Sequence, residues 1–254
     1  MRILFLLLCL FFVPEAVSAY YPDTTEIAAK VKRQYRSLDS FQAVINFEED
    51  SSLELRIWQQ GQRWRQEWIK KSAQKKGVIA AAIGSRDNVI VKYPARNSFP
   101  EPIFHFWQRQ EPLKWWQKMG VKTKIKSYQF LNHRPCIVLG AKYKESEKPQ
   151  VWIDNEKMVP LSIRTGRNTE WQWSKYQNLG NFLLPQKGKV ISGQGNTFSF
   201  KIDWRAINRD MSPVLFRRRA FEEKFGNAPA PSSSFNSQLL QQLKLIIPLA
   251  EPVN

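Results

Sequence analysis

Phe41-Gln42-Ala43-Val44-Ile45-Asn46-Phe47 follows Ser37-Leu38-Asp39-Ser40, and at that junction the hydrophobic period of the chain changes. Upstream, Ile27, Val31, Tyr35 and Leu38 recur at helical spacing. They stand behind Asp23-Thr24-Thr25-Glu26, which has the spacing of a capping box, with Pro22 just before it. That periodicity predicts one amphipathic helix of about four turns. Downstream, Phe41, Ala43, Ile45 and Phe47 alternate, the period of a half-buried strand.

The alternation returns along the chain. Leu53, Leu55 and Ile57 oppose Glu54, Arg56 and Trp58. After a Gln59-Gln60-Gly61-Gln62 turn, Trp64, Gln66 and Trp68 oppose Arg63, Arg65 and Glu67. Val78 to Ile83 is apolar on both faces, and Gly84-Ser85-Arg86-Asp87-Asn88 turns the chain into a strand at 89–93. Further strands are expected over 124–130, 135–143, 150–153, 159–165, 170–176, 182–192 and 197–204. About ten or more strands in succession predict one long antiparallel meander, curved or closed to limit its edges. The fold class is mainly β with covering helices (α+β), and no βαβ rhythm supports a nucleotide-binding α/β fold.

Residues 94–123 interrupt the meander with four prolines and the aromatics Phe99, Phe104, Phe106, Trp107, Trp115 and Trp116. Pro112 suits the first position of a short helix over Pro112–Met119, with Gly120 just past its end. A second helix is expected from Ser212-Pro213 through Phe225, closed by Gly226. Asn227-Ala228-Pro229-Ala230-Pro231-Ser232-Ser233-Ser234 is a linker by composition, and 235–254 is a short apolar tail. One domain over 20–226 is therefore expected, with the linker and tail at 227–254.

At the other end, Arg2 precedes eleven apolar residues, Ile3 to Val13, which Pro14-Glu15 breaks before the small residues Ala16-Val17-Ser18-Ala19. These are the parts of a secretory signal peptide over 1–19. Eleven helical residues rise only ~16 Å, about half of a hydrocarbon core. Cleavage after Ala19 would leave 254 − 19 = 235 residues, with 43% hydrophobic and 13% aromatic residues in the full chain to build a core. The expected location is the periplasm.

Thirty-nine Lys+Arg against 22 Asp+Glu give a net charge of +17, so anionic partners come first. In an exported protein those are lipid headgroups or an anionic membrane surface, not nucleic acid. Basic residues cluster at Arg63/Arg65, Lys70-Lys71, Lys75-Lys76, Lys122 to Lys126 and Arg217-Arg218-Arg219. Catalytic constellations are missing: there is no Walker loop, GxSxG elbow or HExxH pair. Two cysteines and two histidines leave little for a metal site. With Cys9 in the leader, Cys136 stands alone as a strand core residue, and no cofactor is expected. Glu48, Glu49 and Asp50 read as a solvated turn.

What remains is aromatic. Ten tryptophans include the pairs Trp64/Trp68, Trp115/Trp116 and Trp171/Trp173, the first and third on one face of their strands. Ordinary core packing is one reading. The other is an apolar cavity in a curved sheet, roofed by the 94–123 insertion and suited to acyl chains. On that reading Trp64, Trp68, Trp171, Trp173, Phe198 and Phe200 line the cavity and Phe104, Trp107, Trp115 and Trp116 form a lid. Arg63 and Arg65 then contact a headgroup or a docking partner.

The order of segments resembles the outer-membrane lipoprotein carrier (LolA-like) superfamily. The residues that carry the likeness are Leu38-Asp39-Ser40-Phe41-Gln42-Ala43, Arg63-Trp64-Arg65-Gln66-Glu67-Trp68, and the hairpin Val78 to Tyr93 with Pro94. Gln150-Val151-Trp152-Ile153-Asp154 with Val159-Pro160-Leu161, and Tyr176-Gln177-Asn178 with Leu184-Pro185, complete it over residues 23–216. Gln60-Gly61-Gln62 replaces the Lys/Arg-Pro turn common in carriers, and Gly84 to Asn88 replaces the usual Asp-Gly turn. The 94–123 insertion is more similar to uncharacterised lipoprotein-sorting relatives. The resemblance implies an unclosed β-barrel with helical lid, a monomer, taking lipoprotein acyl chains without catalysis. It equally admits an envelope-stress sensor or interaction module of the RseB type, binding an inner- or outer-membrane partner protein.

Overall fold

The computed structural model describes residues 22–71, 76–86, 88–94, 111–165, 169–191 and 195–226. The leader, the linker and tail at 227–254, and Phe104 and Trp107 of the expected lid lie outside the described residues. Helix α1 spans Thr24–Tyr35. Asp23 caps it, its carboxylate accepting from the Glu26 N–H at 2.7 Å. Ile27, Ala28, Val31 and Tyr35 form its buried stripe.

The first wing of the sheet comprises β1 (Ser40–Phe47), β2 (Leu53–Gln60), β3 (Arg63–Lys71), β4 (Lys76–Ser85) and β5 (Asn88–Tyr93). After helix α2 (Pro112–Lys118), the second wing adds β6 (Lys126–Leu131), β7 (Arg134–Leu139), β8 (Gln150–Asp154), β9 (Pro160–Arg164), β10 (Glu170–Leu179), β11 (Phe182–Ile191) and β12 (Thr197–Arg205). Pro112 opens α2 as expected, and Gly120 follows it at φ +88°.

The twelve described strands form one antiparallel sheet in the order β5-β4-β3-β2-β1-β12-β11-β10-β9-β8-β7-β6. It is therefore not one continuous meander. Two meanders are joined by pairing of the first strand with the last, Ala43 opposite Trp204 and Phe47 opposite Phe200. The free edges are β5 and β6, consecutive in the chain and separated by the 94–123 insertion. The barrel is open at the place where the sequence interrupts its strands.

The sheet curls around α1, so that side chains from both wings share one apolar core with that helix. Three bonds seat α1 on the second wing. Thr24 Oγ1 donates to Thr123 O at 2.8 Å, Gln34 Nε2 to Lys157 O at 3.0 Å and Tyr35 Oη to Leu183 O at 3.0 Å. Irregularities at Trp68/Ile69, Ile83/Gly84 and Trp152/Ile153 help to bend the strands.

A second, smaller core lies on the convex face. The helix expected from Ser212 to Phe225 is broken into a 3-10 turn (Pro213–Phe216) and helix α3 (Arg218–Phe225), with Arg217 extended between them. The break leaves the Leu215 carbonyl to accept from Arg65 Nη1 at 3.0 Å instead of continuing a helix. Phe221 and Phe225 of α3 cover Ala81 and Ile83, and Tyr93 stacks on Phe225 with ring centroids 5.3 Å apart. This is why Val78 to Ile83 is apolar on both faces: β4 lies between two cores.

Candidate functional site

The concave face is built by strand alternation. On β3, Trp64, Gln66 and Trp68 stand opposite Gln59, Ile57 and Leu55 of β2 on one side. On the other side they face Gly84, Ala82 and Ala80 of β4. On β10, Trp171 and Trp173 face Val190 and Gly188 of β11, which in turn face Phe198 and Phe200 of β12. The structure thus places all six expected lining residues on this one face, and all six are buried.

Two glycines determine how the rings lie there. A Cβ on Gly188 would come within 2.3 Å of Phe200 Cζ, and one on Gly84 within 2.1 Å of Trp64 Cζ2. Each ring therefore lies across the backbone of its neighbouring strand and cannot coexist there with a side chain. With Gly188 out of the way, Phe200 meets Trp171 across β11 at a centroid distance of 6.4 Å. Phe47 continues the belt, 6.3 Å from Phe200 and stacked 5.8 Å from Trp68. Phe41 and Trp204 add an edge contact at 5.2 Å. The contacts run laterally along the sheet, paving its floor.

Phe41, Phe47, Trp204 and the two glycines were not among the expected site residues. Phe41 and Phe47 share the parity of the other lining positions, and a glycine inside a strand signals a close approach. Gly84 was instead expected to begin a turn, but it is a strand residue of β4. Of the lid residues described, Trp116 is buried in the concave core and Trp115 packs partly buried against it.

The two arginines of β3 separate. Arg63 is exposed, its guanidinium 5.3 Å from the centre of the Phe216 ring. Arg65 is only 4% exposed, so of the two arginines expected to contact a headgroup or a docking partner this one is held inside the protein. It lies under α3 on the convex face, 5.7 Å from the ring centres of both Phe221 and Phe225 and 5.9 Å from that of Trp58. Its Nε donates to Glu67 Oε1 at 3.0 Å, and its Nη2 reaches the same oxygen. Lys224 of α3 also donates to that oxygen at 3.0 Å. Burial pushes the Glu67 carboxyl up, but the charges and hydrogen bonds of Arg65 and Lys224 outweigh it and hold the group below the ordinary carboxylate value.

The remaining polar groups act locally. Glu49 Oε1 accepts the Ser199 N–H at 2.7 Å, and Asp50 accepts the Ser52 N–H and Lys70 Nζ. His133 occupies a turn at φ +64°. Cys136 is buried, and burial raises its thiol pKa. Among the described residues no group of three His, Cys, Asp or Glu is placed to hold a metal ion.

No family model matches the chain, and no curated protein does. Solved structures do. A LolA superfamily protein from Nitrosomonas europaea superposes with a TM-score of 0.52 at 12% identity, covering 78% of this chain and 99% of that one. The fold is LolA-like. A Vibrio parahaemolyticus domain described as an outer membrane lipoprotein-sorting protein superposes at 0.51 with 12% identity, covering 78% and 97%. At that identity the shared property is the open barrel with its helices; no described helix of this chain is long and apolar enough to cross a membrane.

Proposed function

We propose that this chain is an exported, non-catalytic binding protein that shields acyl chains of lipoproteins or other envelope lipids against the concave face of its sheet. The observation that carries the reading is the paved floor. Aromatic rings packed close over the Cα atoms of Gly84 and Gly188, with Phe47, Trp68, Trp171 and Phe200 in ring contact, give an apolar surface along the concave face of an open sheet. Each acyl methylene leaving water for such a surface gains ~0.8 kcal/mol, so a dozen contribute on the order of 10 kcal/mol with no covalent chemistry. On this reading the arrangement in which the lining rings are buried is the unloaded one. Loading then requires α2, with Trp115 and Trp116, to move away from α1. The +17 charge and the exposed Arg63 suit approach to an anionic membrane surface.

Native mass spectrometry of gently purified protein is expected to show bound lipid, and the lipid-free protein is expected to take up a fluorescent fatty acid. A clean unliganded mass together with no uptake overturns the reading. A stable complex with a membrane-protein partner and no bound lipid would favour the interaction module.

A further inference from the structure

The concave tryptophans do not share one fate for their indole N–H groups. Trp64 Nε1 donates to Arg86 O at 3.0 Å, and Trp204 Nε1 donates to Pro185 O at 2.7 Å. Trp68 is 2% exposed, and its Nε1 meets no acceptor among the described residues. Its surroundings explain why. Leu55 and Ala80 flank it on the neighbouring strands, and Phe47 stacks on its ring. A buried N–H left without an acceptor costs about 1–3 kcal/mol, and an acceptor brought by a ligand recovers that.

We propose that Trp68 Nε1–H receives the carbonyl oxygen of an ester- or amide-linked acyl chain, making the site selective for acylated cargo over bare hydrocarbon. The inference rests on the acyl-binding reading above and names the chemistry the site reads. It also disfavours a free fatty acid. A carboxylate beside Trp68 would need a cation, and the two lysines nearest along β3 are engaged, Lys70 by Asp50 at 3.0 Å and Lys71 by Glu54 at 2.6 Å. An ionised group in that apolar surround stays costly without one. A neutral carbonyl needs only the one donor that Trp68 offers.

The test displaces a fluorescent acyl probe from the full-length protein with a fatty-acid methyl ester, the free acid and the alkane of equal chain length. The ester is expected to bind about tenfold tighter than the alkane, which corresponds to ~1.4 kcal/mol. Trp68→Phe keeps the ring and removes the donor, so the ester preference is expected to fall to about twofold or less. Trp58→Phe, which changes an indole on the convex side beside Arg65, is expected to leave that preference unchanged. Indole 15N–1H spectra of the wild type give a readout that needs no variant: the Trp68 proton should shift downfield on adding ester and not on adding alkane. Equal affinity for ester and alkane, an undiminished preference in Trp68→Phe, or a Trp68 proton already hydrogen-bonded in lipid-free protein overturns this inference alone. Failure of all three compounds to displace the probe, or of the probe to bind, overturns the acyl-binding reading itself.

Discussion

Strand β3 separates two cores of opposite chemistry. On its concave side Trp64 and Trp68 join a belt of aromatic rings held by dispersion and area. On its convex side Arg65 and Glu67, equally buried, form an ion pair that α3 seals with two phenylalanines and Lys224. The inner core draws on strands from both wings, whereas the outer one is built from β2 to β5, the 3-10 turn and α3. The difference shows that burial alone does not identify a binding surface. Separating the apolar floor from its neighbours strands no charge, while the ionic clasp cannot be opened without exposing or stranding charge.

The comparison can be broken most forcefully at Trp171. Trp171→Ala removes the buried ring that meets Phe200 at the β10 end of the belt and is expected to lower stability by about 3–5 kcal/mol, read from urea unfolding. On the convex side, Glu67→Gln strands the Arg65 guanidinium and is expected to cost about 3 kcal/mol. Replacing the pair together, Arg65→Met with Glu67→Leu, should restore most of that loss, and a double mutant no better than Glu67→Gln would refute the clasp. Gly188→Ala sharpens the inner side: pushing Phe200 off β11 is expected to destabilise by about 1–3 kcal/mol and to weaken probe binding.

Acid should distinguish the two cores with the smallest effect. The folded Glu67 carboxyl titrates below its ordinary value near 4.5, so the unfolded chain takes up the proton first. The stability it contributes is complete above the ordinary value and is lost as pH falls through the lowered one. The protection factors of α3 amides, corrected for the intrinsic exchange rate, are therefore expected to fall before those of β1 and β12 as the pH drops below the ordinary carboxylate value. Simultaneous loss of both would refute the separation.

Much of this was legible locally. Asp23 and the spacing of Ile27, Val31 and Tyr35 announced α1, and Pro112 with Gly120 bracketed α2. Alternation placed Trp64, Trp68, Trp171 and Trp173 on single faces, and the structure turns both faces inward. The misreadings all involve partners distant in the chain. Arg65 looks like a surface arginine until α3, some 150 residues later, covers it. The break at Arg217 accompanies a hydrogen bond from Arg65 to the Leu215 carbonyl, a partner 150 residues away. Gly84 looks like a turn residue because the ring it accommodates belongs to another strand.

Helix α1 and most strands could be told apart from the sequence, because the periods of 3.6 and 2 come from backbone geometry that each segment carries alone; the break within 212–225 could not. The sequence also put Trp64 with Trp68, and Trp171 with Trp173, on one face of their own strands. Only the tertiary structure decided that β1 pairs with β12, that the barrel stays open between β5 and β6, and that one arginine of β3 is sealed away while the other is exposed. Those outcomes depend on hydrogen bonds and contacts between residues far apart in the chain, for which alternation within a strand carries no record of the neighbour.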